Sequence, residues 1–378
     1  MTARNPRSAL KRTRWIVVKV GTSTLTRDGE LRAAKVTDLV RQISTLADRG
    51  RKVVVVSSGA IAVGSHQLGW SHQGRSIRQK QAAAAVGQIG LLELYRRRFA
   101  RRDRQIAQVL LTRVGLEDRE RFLNARHTLL ELLRLGVTPI VNENDTVATD
   151  EIRFGDNDNL SATIVNLIGA ELLILLTDVD GFYEGKPKSG PARPRLVSQL
   201  DRITPAVRRA ALGPSSTYGR GGMATKLEAA QTAARSGAST VICNGATRDV
   251  LIRVADGEDL GTLVLPRERL SSRKHWLAFT ARSRGQLVLD AGAISAVVER
   301  GRSLLPAGVV AVRGDFSVGD SVSCVDPRGR ERARGLIAYT SKDIARIQGL
   351  STREASRVLG YWNGDAVIHR DDLVVLEK

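Results

Sequence analysis

Six short apolar runs dominated by valine, isoleucine and leucine punctuate the first two-thirds of the chain: WIVVKV (15–20), KVVVVS (52–57), QIAQVLL (105–111), VTPIV (137–141), ELLILLT (171–177) and STVIC (239–243). Their near-continuous apolarity over four to seven residues predicts strands covered on both faces, a property of parallel sheets. Between them, apolar residues recur with a helical period over 33–49, 77–102, 118–135, 159–169 and 223–236. This alternation predicts a doubly wound, mainly parallel α/β domain, in which ligands sit at the carboxyl ends of the strands.

After about residue 265 the rhythm changes. GQLVLDAGA, then VVAVRGDFSVGDSVSCVDPRGRERARGLIAY, then GDAVIHRDDLVVL place short strand-like pieces between turn signals every ten or so residues, which predicts a second, small, mostly β domain. The expected division is an α/β domain over 14–265, a polar linker over 266–276 (PRERLSSRKHW) and the β-rich part over 277–378. No run of eighteen apolar residues occurs, and the basic start MTARNPRSALKRTRW lacks the apolar core of a signal peptide, so a soluble cytoplasmic protein with no membrane partner is expected. Cys243 and Cys324 stand far apart in apolar or strand-like surroundings; both read as core thiols, outside any disulfide framework or metal site.

A formal charge of +20 raises an anionic substrate or a nucleic acid as partner. From Arg273 onward there are 17 Lys and Arg against 12 Asp and Glu, and before it 42 against 27, so most of the excess belongs to the α/β part. The densest run, YRRRFARRDR at 95–104, closes a helical stretch and reads as a solvated helix end.

The strand ends carry the chemistry. The first strand runs into Lys19-Val20-Gly21-Thr22-Ser23, where the lysine suits a facing anion and the glycine permits close backbone approach to a phosphate. The second ends in Ser57-Ser58-Gly59-Ala60 at a helix start, readable as a cap or as an anion site. The fourth ends in Asn142-Glu143-Asn144-Asp145 and the fifth in Thr177-Asp178-Val179-Asp180-Gly181. IRFGDNDNLSA (152–162) crowds Asp156, Asn157, Asp158 and Asn159 ahead of an apolar helix, with Asp158 readable as an N-cap to a helix beginning near Leu160. Last comes a glycine loop, Gly219-Arg220-Gly221-Gly222-Met223-Ala224-Thr225-Lys226, which is not the GxxxxGK[ST] phosphate loop. Each has a bland reading. Together, at one edge of one sheet, they suggest phosphoryl transfer.

VKVGTS, SSGAIAVG, RERFLNAR, VNENDTVAT, GDNDNLSA, LLTDVDGFY and GGMATK occur in an order that resembles the glutamate 5-kinases of the amino acid kinase superfamily, and GRSLLPAGVVAVRGDFSVGD resembles the PUA module of many bacterial members. The resemblance spans about residues 14–376. It implies the amino acid kinase fold with a PUA-like tail, ATP with Mg2+ carried on its phosphates, transfer to the γ-carboxylate of L-glutamate, feedback inhibition by proline, and a homo-oligomer. By position it implies that Lys19, Lys226 and Asp158 are catalytic, with Asp158 lying between the two lysines. ATP would be bordered by Lys19, Gly21, Thr177, Asp178, Gly219, Arg220, Gly221, Gly222, Met223, Ala224, Thr225 and Lys226. Glutamate would be held by Ser58, Asp145 and Asn157, with Asp145 on its ammonium, and no separate protein cage for a metal is implied. Two features depart from the family pattern: Arg220 stands where threonine is frequent, and the hairpin GFYEGKPKSGPARP is spaced differently.

A γ-carboxylate is already ionised at pH 7, its reference pKa being about 4.3, so no general base is required and none of the five histidines falls in these motifs. Bringing this anion against an anionic phosphoryl group instead demands positioning and positive charge. Each lysine stands at a strand or loop end, where its removal should leave the melting temperature nearly unchanged. Two rivals are an acetylglutamate kinase, which would need no anion facing a free amine, and an RNA-binding protein; against the latter, aromatic content is only 4%, which leaves few stacking platforms.

Overall fold

The computed structural model describes residues 5–147, 157–184, 195–211, 222–267, 276–277, 280–361 and 363–376. The chain gathers into two compact units, Met1–Leu116 with Glu120–Arg269, and Glu117–Arg119 with Leu270–Lys378.

In the first unit the strands are β1 (Trp15–Val20), β2 (Lys52–Ser57), β3 (Ile106–Leu111), β4 (Thr138–Glu143), β5 (Leu172–Thr177), β6 (Gln199–Leu200), β7 (Ser239–Asn244) and β8 (Thr262–Val264). They form one sheet in the order β6-β8-β7-β5-β1-β2-β4-β3. Every pairing is parallel except β7 with β8. The central strands are buried along nearly their whole length, with Lys52 at the start of β2 partly exposed, as their apolar sequences require. By contrast β3 is only half-buried, because it is an edge strand with a neighbour on one side alone. The two-residue β6 gives no sequence signal of its own.

Around the sheet lie α1 (Ala33–Asp48), α2 (Ala60–Gln67), α3 (Ile77–Ala100), α4 (Arg119–Arg134), α5 (Asp158–Ile168), α6 (Met223–Arg235) and α7 (Val250–Ala255). The basic run at 95–104 closes α3: Tyr95 and Phe99 are core residues, while Arg96 and Arg97 reach back to Glu93 on the exposed face, at 2.7 and 2.6 Å. Glycine makes one helix crossing possible. A Cβ on Gly64 would stand 1.8 Å from the Ala83 carbonyl oxygen, and one on Gly87 would stand 2.0 Å from that of Ala60, so α2 and α3 meet backbone to backbone. This contact fixes the first half of α3 beside α2, the helix that follows β2.

The second unit holds a five-stranded sheet of β9 (Gly285–Leu289), β10 (Val309–Gly314), β11 (Ser321–Val325), β12 (Glu331–Leu336) and β13 (Leu373–Val375), in the order β10-β9-β11-β12-β13. Two helices that the turn-rich sequence does not announce, α8 (Ser341–Ile347) and α9 (Thr352–Leu359), lie between β12 and β13. Each is capped by a hydroxyl, Thr340 for α8 and Ser351 for α9, the latter in a capping box with Glu354. The two units bury separate cores, one from Leu10 to Leu263 and the other from Leu287 to Leu373. Both cysteines are free and sit in these cores, where burial pushes each thiol up to about 12. Among the described residues no helix is long and apolar enough to cross a membrane.

Candidate active site

The strand register sets the site. Val20 of β1 lies opposite Ser57 of β2 and Leu176 of β5, and Thr177 of β5 lies opposite Asn244 of β7, so the carboxyl ends of neighbouring parallel strands finish in one row. The groups following them line a cleft of about 390 Å3. Lys19, Gly21, Ser58, Asp145, Asn157, Thr177, Asp178 and Lys226, all singled out from the sequence, border it. Gly59 makes the turn from β2 into α2 with φ of +102°, a backbone state costly for a residue with a Cβ.

At the base of this cleft Asp158 is fully buried. One carboxylate oxygen is 2.6 Å from Lys19 Nζ; the other is 3.1 Å from Lys226 Nζ and accepts a hydrogen bond from Thr225 Oγ1 at 3.0 Å. The lysines come from β1 and from the first turn of α6, so one carboxylate ties a strand to a helix. Both lysines are 4–5% exposed. Asp158 is not the N-cap: α5 begins at Asp158 itself, and Asn157 occupies the cap position without a side-chain capping bond. The reading of a cap to a helix starting near Leu160 is corrected accordingly: the carboxylate sits inside the first turn and pairs with the two ammonium groups.

Asn157 is held as firmly. Its Nδ2 donates to the Ser57 carbonyl at 2.7 Å and to Asn142 Oδ1 at 2.8 Å, and Asn142 Nδ2 in turn donates to Gln88 Oε1 at 2.7 Å. With both amide hydrogens committed, what Asn157 offers from its side chain to a ligand is an acceptor, Oδ1. Under Ser57 the buried Tyr95 hydroxyl lies 3.4 Å from Ser57 Oγ and is pushed up to about 12 by burial, with the serine contact opposing the shift. Thr177 Oγ1 donates to Asp178 at 3.1 Å, and the Thr177 carbonyl accepts from Gly245 N at 2.7 Å, which pins the end of β5 to the end of β7.

Gly222 precedes α6, and Met223, Ala224 and Thr225 form its first turn with Lys226. Gly219, Arg220 and Gly221 lie outside the described residues, as do Asp156 and residues 185–194, so Arg220 and most of the differently spaced segment 181–194 fall beyond them. Six polar residues line the same cleft that the motifs did not single out as site residues: Thr22, Ser23, Gln73, Lys80, Asn142 and Glu143. Lys80 and Gln73 come from the opening of α3 and the loop before it, a polar stretch that reads in sequence as an ordinary helix start.

A buried anion clamped between two cations, beside a cleft at the strand ends, suits the handling of a polyanionic group. The sequence model of the Amino acid kinase family matches residues 14–244, and that of the PUA domain matches residues 285–359. The chain belongs to the amino acid kinase family, with the second unit carrying the PUA match. Proteins named Glutamate 5-kinase from Paraburkholderia phymatum, Paraburkholderia xenovorans and Burkholderia thailandensis are each 49% identical to it over 372 residues, which cover 98% of this chain and 100% of each relative. Within the amino acid kinases, then, it is a member of the glutamate 5-kinase family. A solved structure, the UMP kinase from Bacillus anthracis, aligns with 68% of this chain and 98% of its own at a TM-score of 0.47 and 15% identity.

Proposed function

We propose that this chain transfers the γ-phosphoryl group of ATP to the γ-carboxylate of L-glutamate, giving L-glutamyl 5-phosphate for proline biosynthesis. The observation that carries the reading is the Lys19–Asp158–Lys226 clamp at the strand ends of a chain 49% identical, along its length, to proteins of that name. Two anions must meet in this reaction, and Lys19 and Lys226 supply the positive charge that spreads over the transferring oxygens. At an effective dielectric near 20, one ammonium about 4 Å from such an oxygen contributes on the order of 4 kcal/mol. Asp158 holds the pair and takes no proton, since the nucleophile is already ionised.

Thr177, Asp178 and the loop from Gly219 to Lys226 border the nucleotide in this reading, while Ser58, Asp145 and Asn157 hold the amino acid. Among the described residues no three His, Cys, Asp or Glu side chains converge as a metal cage. The carboxylates at the cleft, Asp145 and Asp178 among them, fit a hard cation that brings its own oxygen ligands, and Mg2+ carried on the ATP phosphates would supply charge neutralisation there. Proline inhibition, carried by the resemblance, fits a site shaped for a small α-amino acid.

The direct test is an ATP-dependent hydroxamate assay with L-glutamate, N-acetylglutamate and L-aspartate side by side. Glutamate is expected to give the signal; a preference for N-acetylglutamate would point to the rival kinase. Asp145 and Asn157 Oδ1 are both acceptors at the cleft and suit the substrate ammonium, so Asp145→Ala should raise KM for glutamate far more than KM for ATP. An equal rise in both would make Asp145 structural.

The named groups all fall between Lys19 and Lys226, within the unit that buries its own core. A chain ending at Leu270 is therefore expected to be soluble, to melt cooperatively and to phosphorylate glutamate. A folded truncation without detectable activity would show that the PUA-matched unit completes the site.

A further inference from the structure

Free glutamate brings three charges into the cleft, and the reading above accounts for two of them. The γ-carboxylate goes to the phosphoryl end, where Lys19 and Lys226 are both held on Asp158. The ammonium goes to Asp145 and the Asn157 carbonyl oxygen. The α-carboxylate still needs a partner. Among the described residues that line the cleft, the cations are Lys19, Lys80 and Lys226. We infer that Lys80 is the counter-ion of the substrate α-carboxylate and that it makes the enzyme selective for α-amino acids with a free carboxyl group, an inference that rests on the glutamate kinase reading.

Three features of the fold support the assignment. The backbone contact of α2 and α3 at Gly64 and Gly87 holds Ala83–Gly87 of α3 against Ala60–Gly64, one turn beyond Lys80, and the segment Ser58–Ala62 forms one wall of the cleft. Lys80 is therefore presented by a packed helix and not by a loose loop, as a specificity-determining group should be. Its position is also unfavourable for the helix itself. The α3 N-terminus has a Ser76–Gln79 capping box and no acidic residue in its first turn, so a lysine close behind it stands at the positive end of the helix dipole. A cation placed against the local preference, and facing a cleft, is a mark of function. Gln73, from the loop before α3, adds an amide donor to the same lining.

The test compares L-glutamate with L-isoglutamine, which keeps the γ-carboxylate and the ammonium but carries a neutral amide in place of the α-carboxylate. The full-length wild type is expected to show a KM for isoglutamine roughly 10- to 100-fold above that for glutamate, the worth of one charge-assisted hydrogen bond. Lys80→Met should raise KM for glutamate by a similar factor and leave KM for isoglutamine nearly as it was, so that the preference collapses toward unity and the loss falls on KM more than on kcat. Lys80→Arg should recover most of the preference. If Lys80→Met lacks a cooperative melt, the same comparison is made with Lys80→Gln. Equal rises in both KM values, or a preference that survives neutralisation of Lys80, would overturn the assignment while leaving the kinase reading intact. A wild type that does not turn over glutamate would overturn that reading and this inference together.

Discussion

Replacing Lys19 by methionine is expected to lower kcat by about two to three orders of magnitude, with Lys226→Met behaving alike, since each ammonium contributes on the order of 4 kcal/mol to a transition state in which two anions are forced together. Methionine keeps much of the length and apolar stem, so the change is mainly one of charge. The structure also alters the expected effect on stability. A lysine at a strand end suggests a harmless deletion, but both lysines are buried and both neutralise Asp158, which has no solvent exposure at all. Removing one partner of a buried ion pair costs about 3–5 kcal/mol where the charge is left alone. Here Asp158 keeps the other lysine and the Thr225 hydroxyl. A loss of about 2 kcal/mol is the reasonable figure, which lowers the melting temperature of a domain this size by roughly 4–8 °C. The hydroxamate assay and a thermal melt on the same preparation check both parts. Wild-type turnover in either variant would remove that lysine from the chemistry.

How far the sequence leads depends on which signal each residue leaves. The central strands were legible because burial on both faces demands unbroken Val, Ile and Leu, as in KVVVVS and LLILLT, and few other structures tolerate such runs. Long helices such as α1 and α3 were legible to within a residue or two, since their period is sustained over many turns. By contrast, β6, two residues long, and α8 and α9, seven and eight, are too short to establish a period; tertiary contacts and caps decide them. At the site, Lys19, Ser58 and Asp178 were visible because each ends an apolar run, where a polar residue has few structural reasons to stand. Lys80 left no such mark, because it lies within SIRQKQ, where one more cation looks like solvated helix surface. Only the crossing of α2 and α3 brings it to the cleft, and that crossing rests on Gly64 and Gly87, whose spacing in sequence says nothing of what they touch. The commitment of the Asn157 amide was equally hidden, since it depends on partners 15 and 100 residues away.

Asp158→Asn should be the most damaging single change at the site. An amide of nearly the same shape cannot offset two buried ammonium groups, which then repel each other and draw apart from the geometry in which they meet the transferring phosphoryl group. Turnover is expected to fall at least about a hundredfold, and the melting temperature to fall further than in either lysine variant, because two buried cations are left uncompensated where before there was one carboxylate for both. A mechanism in which Asp158 acted as a base would predict a similar loss, so the single variant does not separate the two ideas. The double variant does. If the carboxylate works only by holding the lysines, Asp158→Asn combined with Lys226→Met removes one of the two repelling charges along with the anion. Its loss should then be smaller than the product of the single losses by roughly 30-fold, a coupling of about 2 kcal/mol. Losses that simply multiply would mean that Asp158 contributes to the reaction independently of Lys226, and the clamp would have to be abandoned as its role. The chemistry already weighs against a proton-accepting aspartate, because the attacking γ-carboxylate is ionised and has no proton to give.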